Sequence, residues 1–170
     1  MKLNFPAVFC CSMVLSFPAF SQNTKATATS DQAFLDLAAQ TDMAEANLGQ
    51  LAATNAASQQ VKDYAQMLVS DHTADYSKLG ALATKTNLTI PKSLDAKHQR
   101  LAGSFQKLKG AAFDRRYIQE MVSGHEAAIA AYDKESRDGQ NADLKAYAKD
   151  TLPTLEKHKN AAQDLAKKKR

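Results

Sequence analysis

The sequence predicts an all-α fold, four long helices packed as a bundle, on three observations. From Ser30 onward apolar residues recur at steps of three and four nearly everywhere. Only Leu88-Thr89-Ile90, ahead of Pro91, has strand character, and it is too short to pair usefully. The 170 residues are 44% apolar and 24% charged with 6 Gly and 4 Pro, the composition of one ordinary domain rather than a disordered or collagenous chain.

The elements follow in order. Met1-Lys2 is a basic start, Phe5 to Phe20 is mostly apolar, and Ala19 and Ser21 set small residues at the −3 and −1 positions of a cleavage site, so residues 1–21 read as a secretory signal. Its removal takes Cys10 and Cys11 away and leaves a thiol-free chain. Residues 22–29, rich in Thr and Ala, read as a flexible leader, and residues 30–166 as the bundle domain. The first helix follows Ser30 as cap with Phe34, Ala38, Thr41, Leu48 and Ala52 on its inner face. After a turn at Asn55 to Ser58, the second carries Val61, Ala65, Leu68, Tyr76 and Leu79 and stops near Asn87. A connection of over twenty residues, holding a short helix from Leu94 to Leu108 capped by Ser93, leads to the third helix. That helix carries Ile118, Val122, Ile129 and Tyr132 and ends at Gly139 as a left-handed stop. Asn141 caps the fourth, with Leu144, Tyr147, Thr151, Leu155, Ala162 and Leu165 inward and a kink or bulge expected near Asp150 to Pro153.

Two short turns and one long connection are the signature of a ferritin-like crossover, in which the chain travels the length of the bundle before the third helix. An up-down-up-down bundle with an added short helix is the alternative. The charge excludes one class of partner: Lys and Arg are interleaved with Asp and Glu, and only the tail at residues 167–170 is a basic cluster, which argues against nucleic acid. After residue 21 no apolar run approaches a membrane span. An envelope protein or a second copy of the chain are the partners such a domain leaves open.

Each inner stripe is interrupted once by a polar residue: Glu45, His72, His125 and His158, one per long helix. Each stands three or four positions from its apolar neighbours and so faces the same way. At about 1.5 Å of rise per residue, Glu45 and His72 differ in height by roughly 5 Å about the first turn, and His125 and His158 by a similar amount about the last. Three imidazoles and a carboxylate are the donors of a mononuclear site for zinc, copper or iron rather than magnesium or calcium. The same four residues could instead satisfy one another as a metal-free polar core. Val69-Ser70-Asp71-His72 echoes Val122-Ser123-Gly124-His125. Asp71 and Glu126, about 100° around the helix from the adjacent His, are placed outside the ligand set, and Asp75 one turn beyond His72 is an additional carboxylate. Tyr76 and Tyr117 offer hydroxyls at the rim. His98, in the connection, is expected to be exposed and without a partner.

The runs Ala44-Glu45-Ala46-Asn47-Leu48-Gly49, Asp71-His72 with Leu79, Tyr117-Ile118 with His125-Glu126, and Leu152-Pro153 with Leu155 and His158 resemble the bacterial domain-of-unknown-function family 4142. The resemblance covers about Ser30 to Leu165. It implies a ferritin-like bundle and a bacterial cell-envelope address, and it brings no reaction. Di-iron enzymes of ferritin-like fold place a Glu three residues before His on two helices. Here those positions hold Val69, Val122 and Leu155, so the bridging carboxylates are missing. With no Ser-His-Asp set and no thiol after residue 21 either, an enzyme is disfavoured.

Overall fold

Five helices make up the computed structural model, which describes residues 21–168: α1 (Ser21–Asn55), α2 (Gln59–Thr86), α3 (Ala96–Phe105), α4 (Gly110–Asp138) and α5 (Ala142–Lys167). No strand occurs among the described residues. The secretory signal expected at residues 1–21 lies outside them except for Ser21, as do the last two residues of the basic tail. No helix among the described residues is long and apolar enough to cross a membrane.

Two apolar clusters define the ends of the structure. One gathers Leu48, Ala52, Val61, Leu68, Phe105, Phe113, Tyr117, Met121 and Ala162. The other gathers Phe34, Leu35, Ala39, Leu79, Ala83, Ala128, Tyr132, Leu144 and Leu155. The end of α1, the start of α2, the start of α4 and the end of α5 therefore share one end. The packing is closest within the α1–α2 and α4–α5 pairs and sparser between α1 and α4 and between α2 and α5.

The segment between α2 and α4 is held to α1 by hydrogen bonds at successive levels. Gln32 exchanges two bonds with the backbone of Thr89 (2.7 and 3.0 Å), and two turns higher on α1 Gln40 donates to Ser93 O and accepts from Asp95 N (both 2.9 Å). Tyr76 Oη donates to Pro91 O. At the top, the buried Asp114 carboxylate accepts from Ala57 N and Ser58 N (both 3.1 Å), which satisfies amides at the start of α2 where Ser58 makes no side-chain cap. Gly49 lets α1 and α2 approach: a Cβ there would lie 2.6 Å from Val69 Cγ2 and 2.9 Å from Ala65 O.

Several boundaries differ from those expected. α1 begins at Ser21 rather than after Ser30, since nothing in the preceding Thr- and Ala-rich stretch breaks a helix, and the leader assigned to residues 22–29 falls on its first turns. The short helix is Ala96–Phe105, capped by Asp95 through a bond from His98 N, because Gln40 already holds Ser93 and Asp95 N. Gly139 is not left-handed (φ −54°, ψ 144°): the chain leaves α4 extended to deliver Asn141, whose side chain caps α5 from Asp143 N and Leu144 N. The left-handed stop is Asn87, at the end of α2 (φ 57°). α5 continues through Pro153 as one helical element, where a kink or bulge is expected.

Candidate metal centre

A polar layer separates the two apolar clusters. On α1, Asp42 and Glu45 stand between Ala39 and Leu48; on α2, His72 between Leu68 and Leu79; on α4, His125 between Met121 and Ala128; on α5, His158 between Leu155 and Ala162. All five polar residues are buried. The four residues singled out from the stripes thus meet at one level. The ring centroids of the histidines are 5.3 to 5.8 Å apart, and one nitrogen from each lies within 4.8 Å of the others.

The second nitrogen of each ring is held from outside. His125 Nδ1 lies 2.8 Å from Met121 O, which can only accept, so the proton sits on Nδ1 and the Nε2 lone pair faces inward. His158 Nε2 is 2.9 Å from Asp71 Oδ2, leaving Nδ1 inward, and Tyr64 Oη bonds the backbone carbonyl of the same residue. His72 Nδ1 is 2.8 Å from Asp42 Oδ1, leaving Nε2 inward, 3.0 Å from Glu45 Oε2. The three inward nitrogens and Glu45 Oε2 are buried with no hydrogen-bond partner. Glu45 Oε2 also lies 3.4 Å from His125 Nε2, a lone pair facing a carboxylate oxygen with no hydrogen between them. His125 Nε2 and His158 Nδ1 have no proton donor or acceptor to pair with, while His72 Nε2 and Glu45 Oε2 have only each other, a costly arrangement for a buried layer. A cation among them would pair all four, and outer partners on each imidazole are the usual support of metal-ligating histidines. The donor set therefore fits a metal.

Charge in the layer is distributed unevenly. Burial opposes an imidazolium at His72, but the flanking Glu45 and Asp42 outweigh it and raise its pKa to about 10. Burial pulls His125 down, only partly countered by Glu45, and pulls His158 down against the bond from Asp71, so both favour the neutral form. Glu45 is pushed up by burial and down, more strongly overall, by the imidazoles, and stays ionised below its ordinary range. Burial raises Asp42 to about 7 despite His72. The layer thus holds a His72–Glu45 ion pair beside two neutral imidazoles.

The remaining expectations divide. Asp71 does lie beside the cluster, but it supports His158 on the neighbouring helix rather than His72 next to it in sequence. Asp75 accepts from Tyr147 Oη, whose oxygen is 3.2 Å from Tyr132 Oη, and is not among the inward groups. Glu126 is exposed and turned away from the layer. Tyr117 is fully buried, with its hydroxyl unpartnered. Tyr76 instead anchors the connection at Pro91. His98 is half-buried and bonded to Asp95 Oδ1 (2.8 Å) rather than exposed and alone, because the short helix packs against α1.

Asp42 was not expected. Thr41, assigned to the inner face, lies at the edge and bonds Leu37 O, while Asp42 turns inward. The signal was present: Asp42 is three positions from both Ala39 and Glu45.

The fold is similar to that of two solved structures. One is "CopM in the Cu(I)-bound form", with TM-score 0.67 and 12% identity over 81% of this chain and 96% of that one. The other is "CopM in the Cu(II)-bound form", with TM-score 0.68 and 13% identity over 82% and 97%. No curated protein matches the sequence. The family model described as "Domain of unknown function (DUF4142)" matches residues 17–165, and the chain belongs to that family.

Proposed function

We propose that this protein is an exported, cell-envelope helical bundle with ferritin-like crossover topology whose buried layer binds one transition metal ion, zinc, copper or iron, through His72, His125, His158 and Glu45. One observation carries the reading: three imidazoles from three helices each have the outer nitrogen held by Asp42, Met121 O or Asp71 and the inner nitrogen turned toward the other two, with His125 Nε2 and His158 Nδ1 unpaired. The topology is supported by the order of residues in the two apolar clusters and by the climb of the connection along α1. Export is supported by the basic, then apolar, then small-residue pattern of residues 1–21. The copper-bound forms of the similar structures make copper the first ion to test. Nitrogen and oxygen donors without sulfur favour Cu(II) or Zn(II) over Cu(I).

The ion would displace the proton on His72 and neutralise the contact between Glu45 and His125. Tag-free protein, stripped of metal, is incubated with Cu(II), Zn(II) or Fe(II), passed over a desalting column and assayed for metal. One retained ion per chain, lost in His72→Ala and His158→Ala, is expected. Full retention in both variants rejects the site.

A second reading rests on the His72–Asp42 and His72–Glu45 contacts, which satisfy part of the layer without any ion. The layer then fixes the register of the helices, and function, as an envelope interaction or stress-protection protein, lies on exposed faces. A pull-down that depends on surface charges and survives loss of the histidines favours it.

A further inference from the structure

We propose that the cleft between α2 and α5 is the port through which a hydrated divalent cation reaches the buried histidines, with Asp71 as its inner transfer residue; this rests on the metal reading above. Among the described residues, two of the cavities reach the polar layer. One, of about 420 Å³, lies between α2 and α5, with His72 and His158 on its floor and Asp71, Asp75 and Asp150 on its walls. The other, of about 360 Å³, lies between α1, α3 and α4 and reaches only Glu45.

Two features select the first, and its charge agrees with them. Its floor is made of two of the three clustered histidines, both almost fully buried. The carboxylate of Asp71 bridges cleft and layer: its side chain is 40% exposed while its oxygen sits 2.9 Å from His158 Nε2 on a ring only 1% exposed. The cleft is also acidic: three carboxylates face one ammonium, Lys78, itself 3.8 Å from Asp75. Converging negative charge raises the local concentration of cations. Carboxylates, with the hydroxyls of Thr151 and Thr154, can replace an ion's waters stepwise. The second cavity has carboxylates of its own, Asp36, Asp95 and Glu120, but it meets the layer only at Glu45, between Ala44, Leu48 and Met121, and reaches none of the three histidines. The looser packing of α2 on α5 than within the helix pairs also leaves room for passage.

The test separates rate from affinity. Apo protein is mixed rapidly with Cu(II), with loading followed by quenching of tyrosine fluorescence and release by transfer to a strong chelator. Asp150→Lys, at an exposed position clear of the histidines, should slow loading about tenfold at low ionic strength and flatten its salt dependence. Thr154→Phe should obstruct the cleft and slow loading and release by the same factor, leaving Kd within about twofold. Thr41→Phe, obstructing the other cavity, should change neither. Slower loading in Thr41→Phe, with wild-type rates in Asp150→Lys and Thr154→Phe, would overturn the port. Absence of saturable Cu(II) binding in the wild-type protein would instead overturn the metal reading beneath it.

Discussion

Leu68 and His72 are one helical turn apart on the same face of α2 and both are buried, yet they belong to regions governed by different physics. Around Leu68 the cluster is built on ring packing, with Phe113 stacked on Tyr117 at 5.5 Å and Phe105 edge-on to Phe113 at 5.8 Å, and its one unpaired polar atom is the Tyr117 hydroxyl. Around His72 the layer is incomplete, with two inward imidazole nitrogens, His125 Nε2 and His158 Nδ1, left unpaired. The apolar clusters hold the helices together, and the layer between them retains a polar cost that packing alone does not require. Residues that cost stability without improving the core are where function is expected.

That contrast can be broken most sharply by substitutions on either side of it. The largest stability effect belongs to the apolar cluster: Phe113→Ala should destabilise the protein by about 3–5 kcal/mol, through lost transfer energy and a residual cavity. Urea unfolding measures it, and metal affinity of the folded protein should stay within a few-fold. In the layer the signs reverse. His125→Leu should lower metal affinity at least about 100-fold while leaving apo stability unchanged or slightly higher, since a polar group with an unpaired atom gives way to an apolar one of similar volume. A large stability loss with intact binding would erase the distinction between the two regions.

Outer support is a smaller lever. Asp42→Asn should weaken metal binding about 10–100-fold and bring the His72 pKa down from about 10, read by NMR titration of the imidazole. Acidity probes the same layer without substitution. His125 and His158 are held below the ordinary imidazole value of 6.5, so the unfolded chain binds more protons than the folded one as pH falls past that value, and apo stability drops. Glu45, depressed in the folded state, adds to the loss at lower pH. Asp42 opposes it, because burial raises it to about 7, but it is one group against two imidazoles above pH 5, with Glu45 joining them only in the carboxylate range. On the alkaline side, the stabilisation from His72 is complete below about 6.5 and is lost as pH rises through about 10. The apo melting temperature should therefore peak near neutral pH and fall on both sides; a flat profile from pH 8 to pH 5 contradicts neutral buried imidazoles. Metal affinity should rise with pH below about 10, because the ion must displace the His72 proton. The smallest effect belongs to Glu126→Gln, at an exposed position, which should leave binding and stability unchanged.

Residues that face along a helix were legible in the sequence; those whose role depends on a neighbouring helix were not. Glu45, His72, His125 and His158 stand out because each interrupts a three-and-four apolar step on its own helix, and that periodicity needs no partner to be read. Asp71 supports His158 across the α2–α5 cleft, a relation that no spacing within α2 encodes. Asp42 was readable by spacing but concealed by Thr41, a small neighbour equally compatible with an inner face until the rotation of α1 is known. The same limit applies to the boundaries. The cap of the short helix shifted from Ser93 to Asp95 because Gln40, on a distant turn of α1, holds the segment.

The central claim is that a metal ion sits where the three inward nitrogens converge, and diffraction at an absorption edge tests it most directly. Crystals of tag-free protein grown with Cu(II) or Zn(II) should show one anomalous peak per chain in the polar layer, about 2.0–2.1 Å from His72 Nε2, His125 Nε2 and His158 Nδ1. A peak only at surface residues, or none with the layer closed on itself by hydrogen bonds, would contradict the account.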